Sequence, residues 1–166
     1  MVIKDRVLEV YPDNVSAELI AHTRYITALT PQILGDAAML AVDPDFHAKL
    51  KNGGVMAAGW NFGCNSSREW APAALYHSGV KLLIARSFAR IFYRSAINIG
   101  LVIMECPNIT EWVKRGDELE TDVATGAIRN ITAGVSGKGT VLPESLLRIM
   151  TAGGLMEVLK AESGKK

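Results

Sequence analysis

Cysteine is scarce in this chain of 166 residues, which carries only Cys64 and Cys106. Two thiols are too few for an iron–sulfur cluster, which takes about three or four. Without a CxxC spacing they also make a poor zinc site. They exclude a disulfide-stapled scaffold and suit a reducing compartment. Histidine is sparse too: His22, His47 and His77 are scattered without ligand spacing and read as surface or helix-end residues. No apolar run approaches the roughly 18 residues of a membrane span. Neither sign of charge dominates, with 18 Lys plus Arg against 17 Asp plus Glu. Nothing in that balance attracts nucleic acid or an anionic membrane. The opening Met1-Val2-Ile3-Lys4-Asp5-Arg6 places charges where a signal peptide needs an apolar stretch, so a cytoplasmic protein is expected.

Apolar residues make up 49% of the chain, enough for one ordinary hydrophobic core, and a single domain over 1–166 is expected. The first segment, 2–11, mixes charges with Val, Ile and Leu and reads as an edge-like strand. Pro12-Asp13-Asn14 is turn chemistry, after which Ser16 can cap a helix to about Thr23. Pro31 opens a helix to about Leu40, and Asp43-Pro44 begins another to about Lys51. Past the breaker Asn52-Gly53-Gly54 come a strand at 55–58, a helix at 66–77, a strand at 80–85, a helix at 87–98 and a strand at 101–105. Strands alternating with helices predict a parallel βαβαβ core, hence an α/β fold. Alternating strands at 118–123 and 127–131 flank the hairpin signal Thr125-Gly126. Residues 134–139 read as a glycine-rich loop before a short strand, and the loop lacks the Lys-Ser/Thr ending of a phosphate loop. Pro143-Glu144 opens a last helix to about Ala152, a further piece covers 155–160, and 163–166 is expected to fray.

The chemistry-bearing stretch is Asn61-Phe62-Gly63-Cys64-Asn65-Ser66-Ser67-Arg68-Glu69, between a strand and a helix. Gly63 tolerates positive φ, and Asn65 does so better than most residues. Ser66 can be a plain N-cap, with Glu69 its capping-box partner. The same junction can equally hold an anion, because helix-end amides favour a carboxylate or oxyanion. Arg68 opposes the acidic preference of a first turn, which makes sense if it meets an anion. Amide donors and an arginine around a serine hydroxyl would lower its pKa, letting it take a proton from a carbon next to a carboxylate. Cys64 sits in this turn as a small packed residue or a reactive thiol. Trp60 and Trp70 flank it as core or interface residues. A second stretch carries Arg86, Arg90 and Arg94 at four-residue spacing, which would share one helix face. They pair with the chain's own carboxylates, or they help hold an acidic substrate or a partner subunit. A stand-alone hydrolase with Ser66 as nucleophile would need a nearby histidine, and the Gly-x-Ser-x-Gly elbow is absent.

Residues 61–72, Asn-Phe-Gly-Cys-Asn-Ser-Ser-Arg-Glu-Trp-Ala-Pro, and 85–101, Ala-Arg-Ser-Phe-Ala-Arg-Ile-Phe-Tyr-Arg-Ser-Ala-Ile-Asn-Ile-Gly-Leu, resemble the small subunits of 3-isopropylmalate dehydratase. These are swivelling domains of the aconitase superfamily. The resemblance extends more weakly from Val10 to about Lys160 and implies a swivelling β/β/α fold. It also implies dehydration and rehydration of a hydroxy-di- or tricarboxylate. This chain would bind no cofactor; a [4Fe–4S] cluster would sit on a larger partner subunit, in a heterodimer or heterotetramer. By the family's Ser-Ser-Arg motif, Ser66 would be the catalytic base, Ser67 its neighbour at the substrate, and Arg68 the carboxylate-binding residue. Gly63, Cys64 and Asn65 would complete the substrate turn.

The chain departs from the family in places. Asn65 and Ser95 stand where the family has Gly and Asn. Asp13-Asn14-Val15-Ser16-Ala17-Glu18 replaces Asp-Asp-Val-Asp-Thr-Asp. Asn65 can keep the left-handed turn, with its side chain crowding the site. In the loop expected to select the substrate, Tyr25-Ile26-Thr27-Ala28 puts Thr27 where relatives carry an arginine or an apolar residue. A small neutral Thr27 implies an alkyl γ-substituent such as isopropyl or methyl, unless the adjacent Arg24 supplies the charge. Isopropylmalate is the expected substrate, with dimethylmalate, citramalate and homoaconitate as alternatives. A non-catalytic anion-binding module on the same scaffold is the reading from a different class.

Overall fold

The computed structural model describes residues 1–51 and 53–164. Its centre is a seven-stranded sheet of order β4-β3-β2-β1-β5-β6-β7. The strands β1 (Val2–Tyr11), β2 (Val55–Ala58), β3 (Leu82–Ala85) and β4 (Ile103–Glu105) run parallel. The strands β5 (Glu118–Asp122), β6 (Ala127–Asn130) and β7 (Val135–Lys138) add an antiparallel ribbon on the far side of β1. The parallel βαβαβ core is therefore present, with additional strands as expected. Every residue of β2 and β3 is buried, as befits strands covered on both faces.

β1 is not at an edge, and its composition explains why it reads as one. Val2 to Arg6 pair only with β5, whereas Val7 and Glu9 to Tyr11 pair with β2, across an irregularity at Val7/Glu9. Apart from Val7, which also bonds Gly116 and Asp117, each half is thus bonded on one side, and the charged first half keeps solvent within reach. There Lys4 meets Glu118 at 3.2 Å and Lys81 meets Asp5 at 2.6 Å. The second half turns Val7, Leu8 and Tyr11 into the core.

Except for the last, which runs on to Ser163, the helices start later, or stop sooner, than the sequence alone suggests. Ser16 does cap α1 (Ala17–Ile20), accepting the Leu19 amide at 3.2 Å, but the helix stops short of Thr23. α2 (Pro31–Ala37) and α3 (Phe46–Leu50) follow, with Pro31 at the first helical position. α4 (Trp70–Ser78) begins four residues after Ser66, so Ser66 is not its cap and the Ser66–Glu69 capping box does not form. Pro72 gives the reason. In the first turn its missing N–H leaves no bond unmade, but in a helix starting at Ser66 it would lack an interior donor and clash with the preceding turn. α5 (Arg90–Ile99) starts beyond Ser87, because the 87–89 backbone bonds instead to Phe62. Arg86 therefore lies off the helix and does not share a face with Arg90 and Arg94.

The short α6 (Ile109–Trp112) has no counterpart in the sequence reading. β7 occupies the stretch read as a loop, and Gly137 is a glycine for a reason of contact: a Cβ there would lie 2.5 Å from the Trp112 ring. α7 (Glu144–Thr151) and α8 (Leu155–Ser163) close the chain and pack on α5, while α1 and α2 pack on α4. Ser163 is thus helical; the rest of the expected fraying at Lys165 and Lys166, and part of the breaker at Asn52, lie outside the described residues.

One charged cluster ties α3 to β1. The Lys49 ammonium donates to Asp43 Oδ2 at 2.7 Å and Glu9 Oε2 at 2.8 Å, and the Tyr11 hydroxyl donates to the same Asp43 oxygen at 2.9 Å. Burial alone would raise the Asp43 carboxyl, but the hydrogen bonds from Lys49 and Tyr11 and the Lys49 charge outweigh it and hold it below its ordinary value. For Lys49, burial acts to lower the ammonium, and the bonds to Asp43 and Glu9 more than reverse it. Tyr11 is pushed well up by burial and by the bond to Asp43. A depressed carboxyl stabilises the fold above its unfolded pKa, about 4, and that contribution is lost as pH falls through the folded value. A raised ammonium or phenol stabilises below its unfolded pKa, about 10, and that contribution is lost as pH rises through the folded value. Urea denaturation across pH 3–11 should show both limbs. Lys49→Met leaves Asp43 with the Tyr11 hydroxyl and Glu9 with only the longer 3.6 Å pair to Arg115, and should lower stability by about 3 kcal/mol at pH 7. A flat profile with an unaltered midpoint in the variant would dismiss the cluster as a stabilising unit.

Candidate functional site

The loops that leave the C-terminal ends of β1, β2 and β3 meet at one end of the parallel sheet, where open α/β sheets place their ligands. Residues 59–65 are threaded between the other two loops and bonded to both. The Gly59 amide donates to Tyr11 O at 3.0 Å, Trp60 to Asp13 Oδ1 at 2.7 Å, and Gly63 to Val15 O at 2.8 Å. On the other side, Asn61 donates to Ser87 Oγ at 2.9 Å and Phe62 to Ser87 O at 3.0 Å. The Ala17 amide then closes on Cys64 O at 2.8 Å. Phe62 is fully buried edge-on to Phe92, with ring centroids 5.5 Å apart. This peg fixes the stem from which the serines project.

The tight path needs left-handed backbone at Gly63 (φ 79°) and Asn65 (φ 64°). Asn65 thus adopts the left-handed conformation that the turn needs, which asparagine tolerates better than most non-glycine residues. Ser66 is half-buried, while Ser67 and Arg68 are exposed. The Ser66 hydroxyl accepts the Arg68 amide at 3.0 Å, a local serine turn that aims a donor at Oγ. The Arg68 guanidinium lies 4.9 Å over the Trp70 ring.

Two clefts share these residues. The first, about 470 Å³, is lined by Asn65 to Arg68 together with Glu18, Thr23, Trp70 and the small Ala17, Ala21 and Ala71. The second, about 440 Å³, joins Asn65, Ser66 and Ser67 to Ala89, Arg90 and Ile91. The structure therefore brings Asn65, Ser66, Ser67 and Arg68 together. Gly63 and Cys64 lie beneath them and line neither cleft. Cys64 is buried, its thiol 3.6 Å from Asn14 O. Arg24 and Thr27 also line neither cleft and stand on an exposed stretch; Thr23 is the residue of that loop that reaches in.

Sequence reasoning missed Glu18, Thr23 and Trp70 as lining residues. Glu18 had a signal: a Ser16 cap places it in the first turn, beside whatever the β1 loop meets. Arg86 follows the plain reading, paired with Glu111 at 3.2 Å and set 4.7 Å over the half-exposed Trp60. Ser95 is buried in α5, away from the clefts. No histidine hydrogen-bonds Ser66 among the described residues: His22 accepts the Arg24 amide and His47 meets Asp36 O.

Neither thiol suits an iron–sulfur cluster. Cys64 faces a carbonyl, and Cys106 is buried next to Asn108, with burial pushing its thiol up. Among the described residues, no group of three or more His, Cys, Asp or Glu is placed to hold a metal. Likewise, no helix is long and apolar enough to cross a membrane.

Comparisons with known proteins agree with this architecture. Residues 31–109 match the aconitase C-terminal domain. The isopropylmalate/citramalate isomerase small subunit of Methanocaldococcus jannaschii is 48% identical over 96% of this chain and 94% of its own length. The 2,3-dimethylmalate dehydratase small subunit of Eubacterium barkeri is 44% identical over 91% and 93%. The crystal structure of a 3-isopropylmalate dehydratase from Methanocaldococcus jannaschii superposes with a TM-score of 0.90 at 37% identity, covering 98% of this chain and 96% of that one. With its serine loop held at the end of a parallel core and nearly its whole length matched, the chain belongs to the family of 3-isopropylmalate dehydratase small subunits, hydro-lyase subunits built on the aconitase C-terminal domain.

Proposed function

We propose that this chain interconverts 2- and 3-isopropylmalate by dehydration and rehydration, in complex with a large subunit that carries a [4Fe–4S] cluster. The observation that carries the reading is the Ser66 hydroxyl at the mouth of two clefts, with the Arg68 amide donating into its oxygen. In this reading Ser66, as alkoxide, takes the proton from the carbon next to a carboxylate and returns it on rehydration. The Arg68 amide and guanidinium favour the anionic oxygen, and the same guanidinium holds a substrate carboxylate. Ser67 hydrogen-bonds the substrate beside it. In this reading departure of the hydroxyl is left to the partner; among the described residues no group of three or more His, Cys, Asp or Glu is placed to hold a metal.

Selection of an alkyl substituent has two supports. Ala17, Ala21 and Trp70 give the first cleft an apolar wall, and Glu18 in the same cleft repels a third carboxylate. Thr27 is exposed and lines neither cleft, so in this reading the first cleft's own wall carries the selection.

The test is anaerobic reconstitution with the large subunit and assay on isopropylmalate, citramalate, dimethylmalate and homoaconitate. The isopropyl substrate should give the highest kcat/KM and homoaconitate the lowest, by a factor of about 100 or more. Preference for the tricarboxylate would refute the substrate assignment, and inactivity on all of them would refute the hydro-lyase reading itself.

A further inference from the structure

The substrates of this reaction class carry carboxylates on neighbouring carbons, and Arg68 accounts for one. We infer that Arg90 holds the second; the inference rests on the dehydratase reading above. Arg90 reaches the serines without sequence proximity, because the Phe62 bridge to Phe88 docks the start of α5 against the serine loop. Asn65, Ser66 and Ser67 form one wall of the second cleft, and Ala89, Arg90 and Ile91 form the other. The charged residues lining the two clefts are Glu18 and Arg68 in the first and Arg90 in the second.

Arg90 is exposed and, like Arg68, makes no ion pair among the described residues, whereas Arg86 at the same end of the sheet is neutralised by Glu111. Glu105, which lines a neighbouring cleft with Arg90 and Arg94, makes no ion pair with Arg90 and accepts the Phe88 amide at 3.1 Å. Arg90 is also the first residue of α5, where a cation opposes the helix dipole. An acidic group between Arg90 and the serines removes that conflict. A vicinal dicarboxylate then spans the two clefts: one carboxylate lies on Arg68, the other on Arg90, and the carbon that loses its proton faces Ser66. The second cleft holds no acidic residue, so no lining charge in it opposes a carboxylate on Arg90.

The test uses the reconstituted two-subunit enzyme with Arg90→Gln and Arg90→Lys. Arg90→Gln should raise KM about 10- to 100-fold, the loss expected for one charge-assisted hydrogen-bonded contact, and change kcat less than about 3-fold. Arg90→Lys should recover part of the affinity. Inhibition by a saturated dicarboxylate should weaken in parallel, while inhibition by the corresponding monocarboxylate should not change. Subunit association, measured by sedimentation, should match wild type. Wild-type KM and dicarboxylate inhibition in Arg90→Gln would overturn the inference and leave the dehydratase reading standing. Weakened association with normal KM at saturating partner would also overturn it, making Arg90 a subunit contact. A wild-type complex without hydro-lyase activity would remove the dehydratase reading and this inference together.

Discussion

Ser66→Ala should reduce kcat of the reconstituted enzyme by about 1,000-fold or more, within the range that positioned proton transfer contributes. KM should stay within a few-fold, because Arg68 still binds carboxylate, and the large subunit should bind as before. The side chain is half-buried, and its one hydrogen bond is to the Arg68 amide. Its loss therefore disturbs little packing, and the variant reports on chemistry instead of folding. Ser67→Ala should lose much less rate, since that hydroxyl only flanks the substrate. Steady-state kinetics on isolated complexes, with circular dichroism and sedimentation as folding and assembly controls, decide the matter. Full turnover by Ser66→Ala would mean that Ser66 is not the base, and a non-catalytic anion-binding module would then explain the loop better.

Gly63→Ala should be the most damaging single-methyl change in the site. A Cβ at this position would lie 2.3 Å from the Phe92 ring. The ring cannot swing clear, because it stacks on Phe88 at 5.8 Å and meets Phe62 edge-on at 5.5 Å. The left-handed backbone, φ 79°, adds about 1–2 kcal/mol of strain to about 1–3 kcal/mol of overpacking. A combined loss of about 2–5 kcal/mol should lower Tm by about 10 °C. Asn65→Gly, two residues on, is the control: its φ of 64° favours glycine and its side chain faces open clefts, so Tm should hardly move. A Gly63→Ala Tm within a degree or two of wild type would show that the peg is softer than its contacts indicate.

Much of this was legible in the sequence because it is local. The apolar run at Val55–Ala58 is a buried strand, Thr125-Gly126 is a hairpin turn, and Pro31 stands where a helix starts. The serine loop was legible for the same reason: a strand, a glycine, an asparagine and two hydroxyls specify a tight turn that ends in exposed polar groups. What escaped depends on distant partners. Whether a strand is bonded on both sides is decided by its neighbours, so the one-sided halves of β1 read as an edge. The start of α4 was legible but needed Pro72 to be weighed against Ser66. The places of Glu18, Arg90 and Thr27 follow from how three separate loops pack, which no spacing along the chain encodes. Arg86, Arg90 and Arg94 are evenly spaced, yet a backbone bridge to Phe62 takes the first of them off the helix.

The change of partners at Val7 has a consequence for the site. One strand sets the alignment of two ribbons, so a slip of a single residue would turn Val7, Leu8 and Tyr11 the wrong way and misalign β2 and β5 together. The antiparallel ribbon thereby works as a ruler. By fixing where β1 begins, it fixes how far the strand reaches, and so the height at which Asn14 and Val15 grip the serine loop.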